Sequence, residues 1–374
     1  MTKVLFTLLN TNNPDPRAPK QAKTLIEAGY DAKIIACRSD GSLPKDGSNL
    51  GVPVHRVDMF YTWKKIPFIQ YWDFYRKAWK VIEKERPDIV FCCDLNTLYL
   101  GIKAKKLLGS KILYDAREYF PGMIRGDAKF GSLFYKFYEK YEARWAPQCD
   151  AIITVNDEIR KILNKEYGVD SEVIMNCPPK SFLKRYRIHD EKVVGYVGDI
   201  NWVRGVDKLA MAAKHVVESD PGFRFLIVGS GSYLPNVLDI VKKNGMEKYF
   251  EFTGQVPMDR MPSYYERMSV GTILFQPTIN NMLGSPNKFF EFMGAGKAQL
   301  VSDFPVMGKI VREENCGDVV DPTDPKKIAE KLLGMFRKKK VKSYGRNGRD
   351  AFEKKYNWEA QGKKMLKIIG QLAS

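Results

Sequence analysis

A lysine and a glutamate three residues apart, Lys288 and Glu291, sit in the stretch Ser285 to Gly296, "SPNKFFEFMGAG". On a helix such a pair shares a face, leaving Phe289, Phe290 and Phe292 or Met293 to pack elsewhere. Ser285 is a good N-cap and Pro286 a good first helical residue, so a helix is predicted from "SPN" through Met293, ended by Gly294 and Gly296. Unpaired amides in its first turn and the positive end of its dipole attract a phosphate, and Lys288 adds a full charge. Glu291 is then placed to accept hydrogen bonds from sugar or ribose hydroxyls. The competing account is a plain Lys288 to Glu291 pair on a solvated face, worth a few tenths of a kcal/mol. On this helix alone the plain pair is the simpler account.

Two glycine loops in the same half shift the weighting. "GYVGDINWVRG" puts Gly195 and Gly198 at a strand end with Arg204 before a helix, and "VGSGS" puts Gly229 and Gly231 after another strand. "GSGSYL" lacks the third glycine of a dinucleotide fingerprint and the Gly-Lys-Ser/Thr of a P-loop, which weakens both of those readings. Together the loops point to a nucleoside diphosphate held without a metal cage.

The elements that must position these residues alternate. "KVLFTLL", "DAKIIACR", "PDIVFCCD", "KILYD", "DAIITV" and "SEVIMN" are short apolar runs separated by amphipathic helices such as "NDEIRKILNKEYG". After an aperiodic stretch from Cys177 to Lys192 the series resumes with "VVGYVGDI", "FRFLIVGSG", "FEFTGQV", "VGTILFQP", "AQLVSDF" and "GDVVDP". Strands alternating with helices imply parallel sheets wrapped on both faces. A chain of 374 residues exceeds one ordinary core. The expected layout is a first domain over 1–178, a linker over 179–192, a second domain over 193–355 and a closing helix over 356–374. Ligands of such sheets bind beyond the carboxyl ends of the strands.

Composition bounds the rest. Hydrophobic residues make up 44% and charged residues 28%, a globular balance. No apolar run reaches bilayer length, and "MTKVLFTLLNTNN" turns polar too early for a signal peptide, so a cytoplasmic location is expected. The six cysteines are scattered without a CxxC pair and read as buried thiols, and three histidines leave little for a metal site or a triad. The net charge of +17 favours anionic partners without naming one.

"GYVGDINWVRG", "FLIVGSGS", "FTGQV" and "SPNKFFEFMGAGKAQLVSDFP" resemble, in order and spacing, the donor domain of family 4 glycosyltransferases, the retaining GT-B enzymes. "DPRAPKQAKTLIEAGYDAKIIA", "PDIVFCCDLNTLYLGIKAKKLLGSKILYDAREYFP" and "DAIITVNDEIRKIL" resemble the first half of that family, and "KYNWEAQGKKMLKIIGQL" its last helix, which crosses back to the first domain. The resemblance implies an α/β fold of the GT-B kind, two doubly wound Rossmann-like domains in tandem with a cleft between them. It also implies transfer of a sugar from a nucleotide diphosphate sugar, UDP favoured, to a glycan or lipid-linked acceptor in surface polysaccharide biosynthesis. No cofactor and no metal are implied.

Position by position, the resemblance gives Glu291 the ribose, as second member of the family's Glu-x7-Glu motif, while the first member falls on Leu283. Of the basic pair for the diphosphate, Arg204 matches the second member and Asp199 stands at the first; Lys288 and the amides of Gly284 to Asn287 are the candidate compensation. Donor contacts are expected from Gly198, Asp199, Gly229, Gly231, Val256, Gly284, Ser285, Asn287 and Glu291. Where relatives often show histidines in the acceptor half, this chain has Cys93 and Arg117, leaving Asp94, Asp115, Arg117 and Glu118 to face the cleft, with Arg17 also on the acceptor side. An aspartate at a strand end can equally be a turn cap. In the implied reaction a phosphate oxygen of the leaving group takes the acceptor proton, so charge stabilisation matters more than a protein base. Arg204 and Lys288 are assigned that role, with Asp94 and Glu118 as further catalytic candidates. Two alternatives stand beside the transferase: a nucleotide-sugar epimerase of GT-B shape, and a nucleotide-sugar-binding protein with impaired catalysis.

Two stretches are both aromatic and basic. The first carries Phe60, Tyr61, Trp63, Phe68, Tyr71, Trp72, Phe74, Tyr75 and Trp79; the second carries Phe130, Leu133, Phe134, Phe137, Tyr138, Tyr141 and Trp145 at helical spacing. Phe134, Phe137 and Tyr141 read as core. The looser first stretch suits an anionic membrane surface, making peripheral attachment at the inner face of the cell membrane a candidate. No nucleic-acid partner is expected, since nothing here resembles a known nucleic-acid module.

Overall fold

The structure is a computed structural model that describes residues 1–11, 17–38, 42–59, 67–120, 122, 131–182 and 186–374, the side chains of 67–70, 131–134 and 182 excepted. Two compact units divide the chain: Met1–Met175 with Gly362–Ser374, and Asn176–Gln361.

The first unit runs β1 (Lys3–Thr7), α1 (Arg17–Glu27), β2 (Asp31–Arg38), β3 (Asp46–Asn49), β4 (Val52–Asp58), α2 (Pro67–Glu85), β5 (Ile89–Cys93), α3 (Leu98–Leu108), β6 (Lys111–Ala116), α4 (Gly131–Trp145), β7 (Ala151–Thr154), α5 (Asp157–Tyr167) and β8 (Glu172–Val173). Each central strand is short, apolar and buried on both faces, as helix-covered parallel sheets require. Helix ends follow the sequence: Asn156 accepts from Ile159 N at 3.0 Å to open α5, and the left-handed Gly168 closes it. Among the described residues the strands lie in the order β3-β4-β2-β1-β5-β6-β7-β8, all parallel except the β3–β4 pair. The order reverses between β1 and β5, which pair through Val4–Ile89 to Thr7–Cys92. The β3–β4 hairpin was not expected from the sequence. Its β3 segment, "DGSN", is exposed or half-buried throughout and has no apolar side to betray it.

The second unit runs β9 (Val193–Val197), α6 (Val206–Ser219), β10 (Arg224–Val228), α7 (Leu234–Lys243), β11 (Phe250–Phe252), α8 (Met261–Arg267), β12 (Val270–Ile273), α9 (Ile279–Leu283), α10 (Asn287–Gly294), β13 (Ala298–Ser302), α11 (Pro305–Glu314), β14 (Gly317–Val320), α12 (Pro325–Arg337) and α13 (Val341–Lys354), followed by α14 (Trp358–Ala373). Its sheet is wholly parallel, in the order β11-β10-β9-β12-β13-β14. This is the doubly wound arrangement whose crevice opens where the chain leaves β9 for one side and returns at β12 on the other. Val194, Tyr196, Leu209, Ala213, Phe225, Ile227 and Leu332 belong to the core beneath. Both units are therefore Rossmann-like α/β layers in tandem.

All six cysteines are reduced, and Cys149 alone is other than buried. Three expectations on the aromatic stretches, at Phe60, Tyr61 and Trp63, lie outside the described residues, as do Phe130 and the side chains of Phe68, Leu133 and Phe134. Phe137, expected in the core, is 58% exposed, because the face of α4 that packs inward is the one bearing Tyr138 and Glu142. Tyr141, by contrast, is half-buried.

Candidate functional site

In the second unit, β9 and β10 end side by side in their glycine loops. Gly198 N donates to Val228 O at 2.8 Å and Ile200 N to Ser230 O at 2.9 Å, so the two loops continue as one wall. At Gly229 the backbone has φ +136°, and a Cβ there would stand 2.0 Å from Gly198 O. No side chain fits that approach, which explains the residue type. Gly198, at φ +123°, faces the ammonium of Lys288, whose Nζ would be 2.9 Å from a Cβ. The wall encloses a cavity of about 540 Å³, lined among others by Gly198, Asp199, Gly229, Gly231, Val256 and Glu291.

Helix α10 supplies the other side, and here the sequence expectation needs correction. The helix begins at Asn287; Pro286 is the extended residue before it (φ −71°, ψ 153°) and Ser285 makes no cap. A residue preceding proline is driven out of helical geometry, so Ser285 cannot lead directly into the first turn. Gly284 is extended as well (φ −96°, ψ 153°). Ser285 is half-buried, and Asn287 Oδ1 accepts from Asn176 Nδ2 at 2.9 Å. Phe289 N already donates to Pro286 O at 2.9 Å, so the first-turn donors that a helix start leaves without backbone partners are the amides of Asn287 and Lys288.

Lys288 and Glu291 do not form the plain surface pair. The ammonium of Lys288 lies 4.1 Å from the ring centre of Tyr196 and 5.5 Å from that of Phe275. Phe275 carries the Arg204 guanidinium at 4.5 Å as well, so two cations share one aromatic platform just past β12. Loss of hydration, and then the neighbouring guanidinium, push Lys288 down to about 7, against the pull of Glu291 and Asp199. Glu291 instead accepts from the hydroxyl of Tyr265, which lines the same cavity. Asp199 accepts from Asn201 Nδ2 at 2.5 Å.

The first unit gathers its predicted residues differently. Arg17 holds Asp115 with two bonds, Nε at 2.9 Å and Nη2 at 2.7 Å; Gln21 Nε2 adds a third at 3.0 Å and Arg117 Nε a fourth at 3.2 Å. Arg17 is 3% exposed and Asp115 0%. Asp115 and Arg17 were expected to face a ligand; both are turned into the unit and occupied by one another. Although burial alone would raise it, the cations hold the Asp115 carboxyl below its usual range.

Asp94 follows the neighbouring strand β5, whose last residue, Cys93, pairs with Asp115. It adopts φ 68°, ψ 162°, makes no side-chain cap to the turn that follows, and is pushed up to about 7 by burial, with Arg117 opposing and Asp115 and Glu118 reinforcing. The turn-cap account of Asp94 therefore fails. A non-glycine residue at positive φ is strained and concentrates at functional positions. Glu118 is exposed nearby, Cys93 is buried, and Leu283 is half-buried.

Sequence reasoning missed Tyr265, Tyr196 and Phe275, which look like ordinary core aromatics, and Gln255, Met258 and Met261 at the cavity. No signal marked them, because their role depends on what lies opposite. Among the described residues no group of three or more His, Cys, Asp or Glu side chains is placed to hold a metal ion.

Comparison with known proteins bears on both halves. A family profile described as "Glycosyltransferase Family 4" matches residues 20–177, and one described as "Glycosyl transferases group 1" matches residues 191–338. An uncharacterised glycosyltransferase of Methanocaldococcus jannaschii is 22% identical over 93% of this chain and 91% of its own. TuaH of Bacillus subtilis, a glycosyltransferase assigned to teichuronic acid biosynthesis, is 24% identical over 70% of this chain and 67% of its own. Among solved structures, sucrose-phosphate synthase from Thermosynechococcus elongatus superposes with a TM-score of 0.83 at 15% identity, covering 100% of both chains. Anabaena HepE, solved in complex with UDP, gives 0.75 at 12% identity, covering 99% of this chain and 100% of that one.

Proposed function

Because the chain belongs to the GT4-like glycosyltransferases of the GT-B superfamily, we propose that its second unit binds a UDP-sugar at the β9–β12 crevice and gives up the sugar with retained configuration. The observation that carries this reading is that Arg204 and Lys288 both rest on Phe275, Lys288 beside Gly198, and that among the described residues neither is in an ion pair with a carboxylate.

In the proposed reaction the acceptor hydroxyl attacks the anomeric carbon from the side of the departing diphosphate. The bond from that carbon to the diphosphate oxygen breaks, and a phosphate oxygen takes the acceptor proton. Negative charge grows on the leaving group, and preorganised cations in a water-poor site stabilise it most. Lys288 stands in for the basic residue that Asp199 replaces. Glu291, oriented by Tyr265, accepts from the ribose hydroxyls, and the glycine wall admits the phosphates against the backbone. No metal is needed in this account, since side chains and helix amides provide the positive field. On the first unit, Asp94 is the group set to accept from an acceptor hydroxyl. UDP is favoured because HepE was solved with it. An acceptor of glycan or lipid-linked type, in polysaccharide assembly, is favoured by the likeness to TuaH.

Thermal-shift titration with UDP-, GDP- and ADP-glucose tests the reading. A ligand at 100 times its Kd stabilises by about 2.7 kcal/mol, so the UDP-sugar should raise Tm clearly, and Lys288→Met should lose most of that rise. No shift with any of the three, or an undiminished shift in both Lys288→Met and Arg204→Met, would sink it.

A further inference from the structure

Helix α4 carries two parallel rows. Lys136, Lys140 and Arg144 recur every four residues, and so do Phe137, Tyr141 and Trp145, so each row forms a stripe along the helix. The aromatic row is continuous: Phe137 lies 6.1 Å from Tyr141, Tyr141 lies 4.0 Å from Trp145, and Trp145 stacks on Tyr99 at 5.6 Å. It descends from an exposed end into a groove of about 450 Å³ between α3 and α4. Lys103, Lys106 and Arg144 line that groove with Leu107 and Ile102, and among the described residues no carboxylate does.

Among the described residues none of Lys103, Lys106, Lys136, Lys140 and Arg144 has a carboxylate within ion-pair distance. Their neighbour Lys105, by contrast, reaches Asp150 at 2.9 Å. Phe137 and Leu107 are 58% and 63% exposed beside these cations. Unneutralised positive charge flanking exposed apolar side chains is the chemistry of an interfacial surface, where cations meet headgroup phosphates and apolar groups enter the acyl boundary. No described helix is long and apolar enough to cross a membrane.

We propose that the α3–α4 face docks on an anionic phospholipid bilayer, with headgroup phosphate in the groove and Phe137 and Leu107 in the acyl boundary. A single-stranded nucleic acid fits less well, because aliphatic Leu107 and Ile102 offer bases no stacking face. The inference stands apart from the donor chemistry.

The test is sedimentation of the full chain with phosphatidylcholine vesicles, with and without phosphatidylglycerol, at low salt. Binding should require the anionic lipid. Each cation near such a surface contributes roughly a fivefold factor, so Lys140→Glu with Arg144→Glu should weaken partitioning by more than about 25-fold. Phe137→Ser should weaken it roughly tenfold while leaving the salt dependence in place. The control, Lys331→Glu with Lys338→Glu, changes net charge equally and should retain binding; melting curves establish that all variants fold. The proposal is overturned by equal binding to neutral vesicles, by no binding at low salt, or by an equal loss in the control. It is also overturned if the α4 variant loses single-stranded DNA and keeps vesicles.

Discussion

The two sheets reverse their strand order at corresponding places, yet the charges found there are spent in opposite ways. At the β1–β5 reversal Arg17, Gln21 and Arg117 converge on Asp115 and satisfy it. At the β9–β12 reversal Arg204 and Lys288 rest on aromatic rings next to an open cavity. A cation on a ring face is held without being neutralised, since the quadrupole attracts but supplies no counter-charge. The first arrangement builds structure and the second leaves a field for a ligand.

Removing Asp115 should break the comparison on its structural side and have the largest effect. Asp115→Ala leaves Arg17 buried without a partner, and loss of one member of such a pair costs about 3 to 5 kcal/mol, read by urea unfolding. On the other side, Arg204→Met should lower kcat by about 10² to 10³ in a transfer assay while leaving the urea midpoint nearly unchanged. If Arg204→Met unfolds the protein as readily as Asp115→Ala does, the distinction between the two reversals is lost.

Lys288→Met sharpens the contrast through pH. The folded pKa of Lys288 is about 7, below its ordinary 10.5, so between these values the unfolded chain binds more protons and wild-type stability rises with pH. Below pH 7 the buried charge carries its full cost. Melting curves should therefore show Lys288→Met more stable than wild type at pH 6, with the gap closing towards pH 10, even as its affinity for UDP falls. The smallest effect is expected at Asp94, whose folded pKa of about 7 lies above its ordinary 3.8. The folded state holds the extra proton between those values, so wild type loses stability as pH rises through 7. Asp94→Asn should raise Tm at pH 8 and change it little at pH 4.

The alternation of strands and helices was legible because each buried strand is a short apolar run and each helix carries its own period and stop, as from Asn156 to Gly168. The β3–β4 hairpin was not, since a polar edge strand has no such pattern. At the site, glycines 198, 229 and 231 and Glu291 could be picked out by residue type and spacing, and the structure sets them around one cavity. What could not be read was partnership. Nothing local says that Arg17 will reach Asp115, 98 residues away, or that Tyr265 will orient Glu291. Nor does the sequence tell which aromatic faces inward: Phe137 and Tyr141 share a stripe of α4, and only the former stands clear of the neighbouring elements.

The glycine wall has one more implication, for engineering. Much of that wall is main chain, and at Gly198 and Gly229 no larger residue can be accommodated without displacing its neighbours. Side chains that vary the lining without touching the glycines include Gln255, Val256, Met258 and Met261. A mutant library aimed at new donors should randomise those four codons and hold the glycines constant.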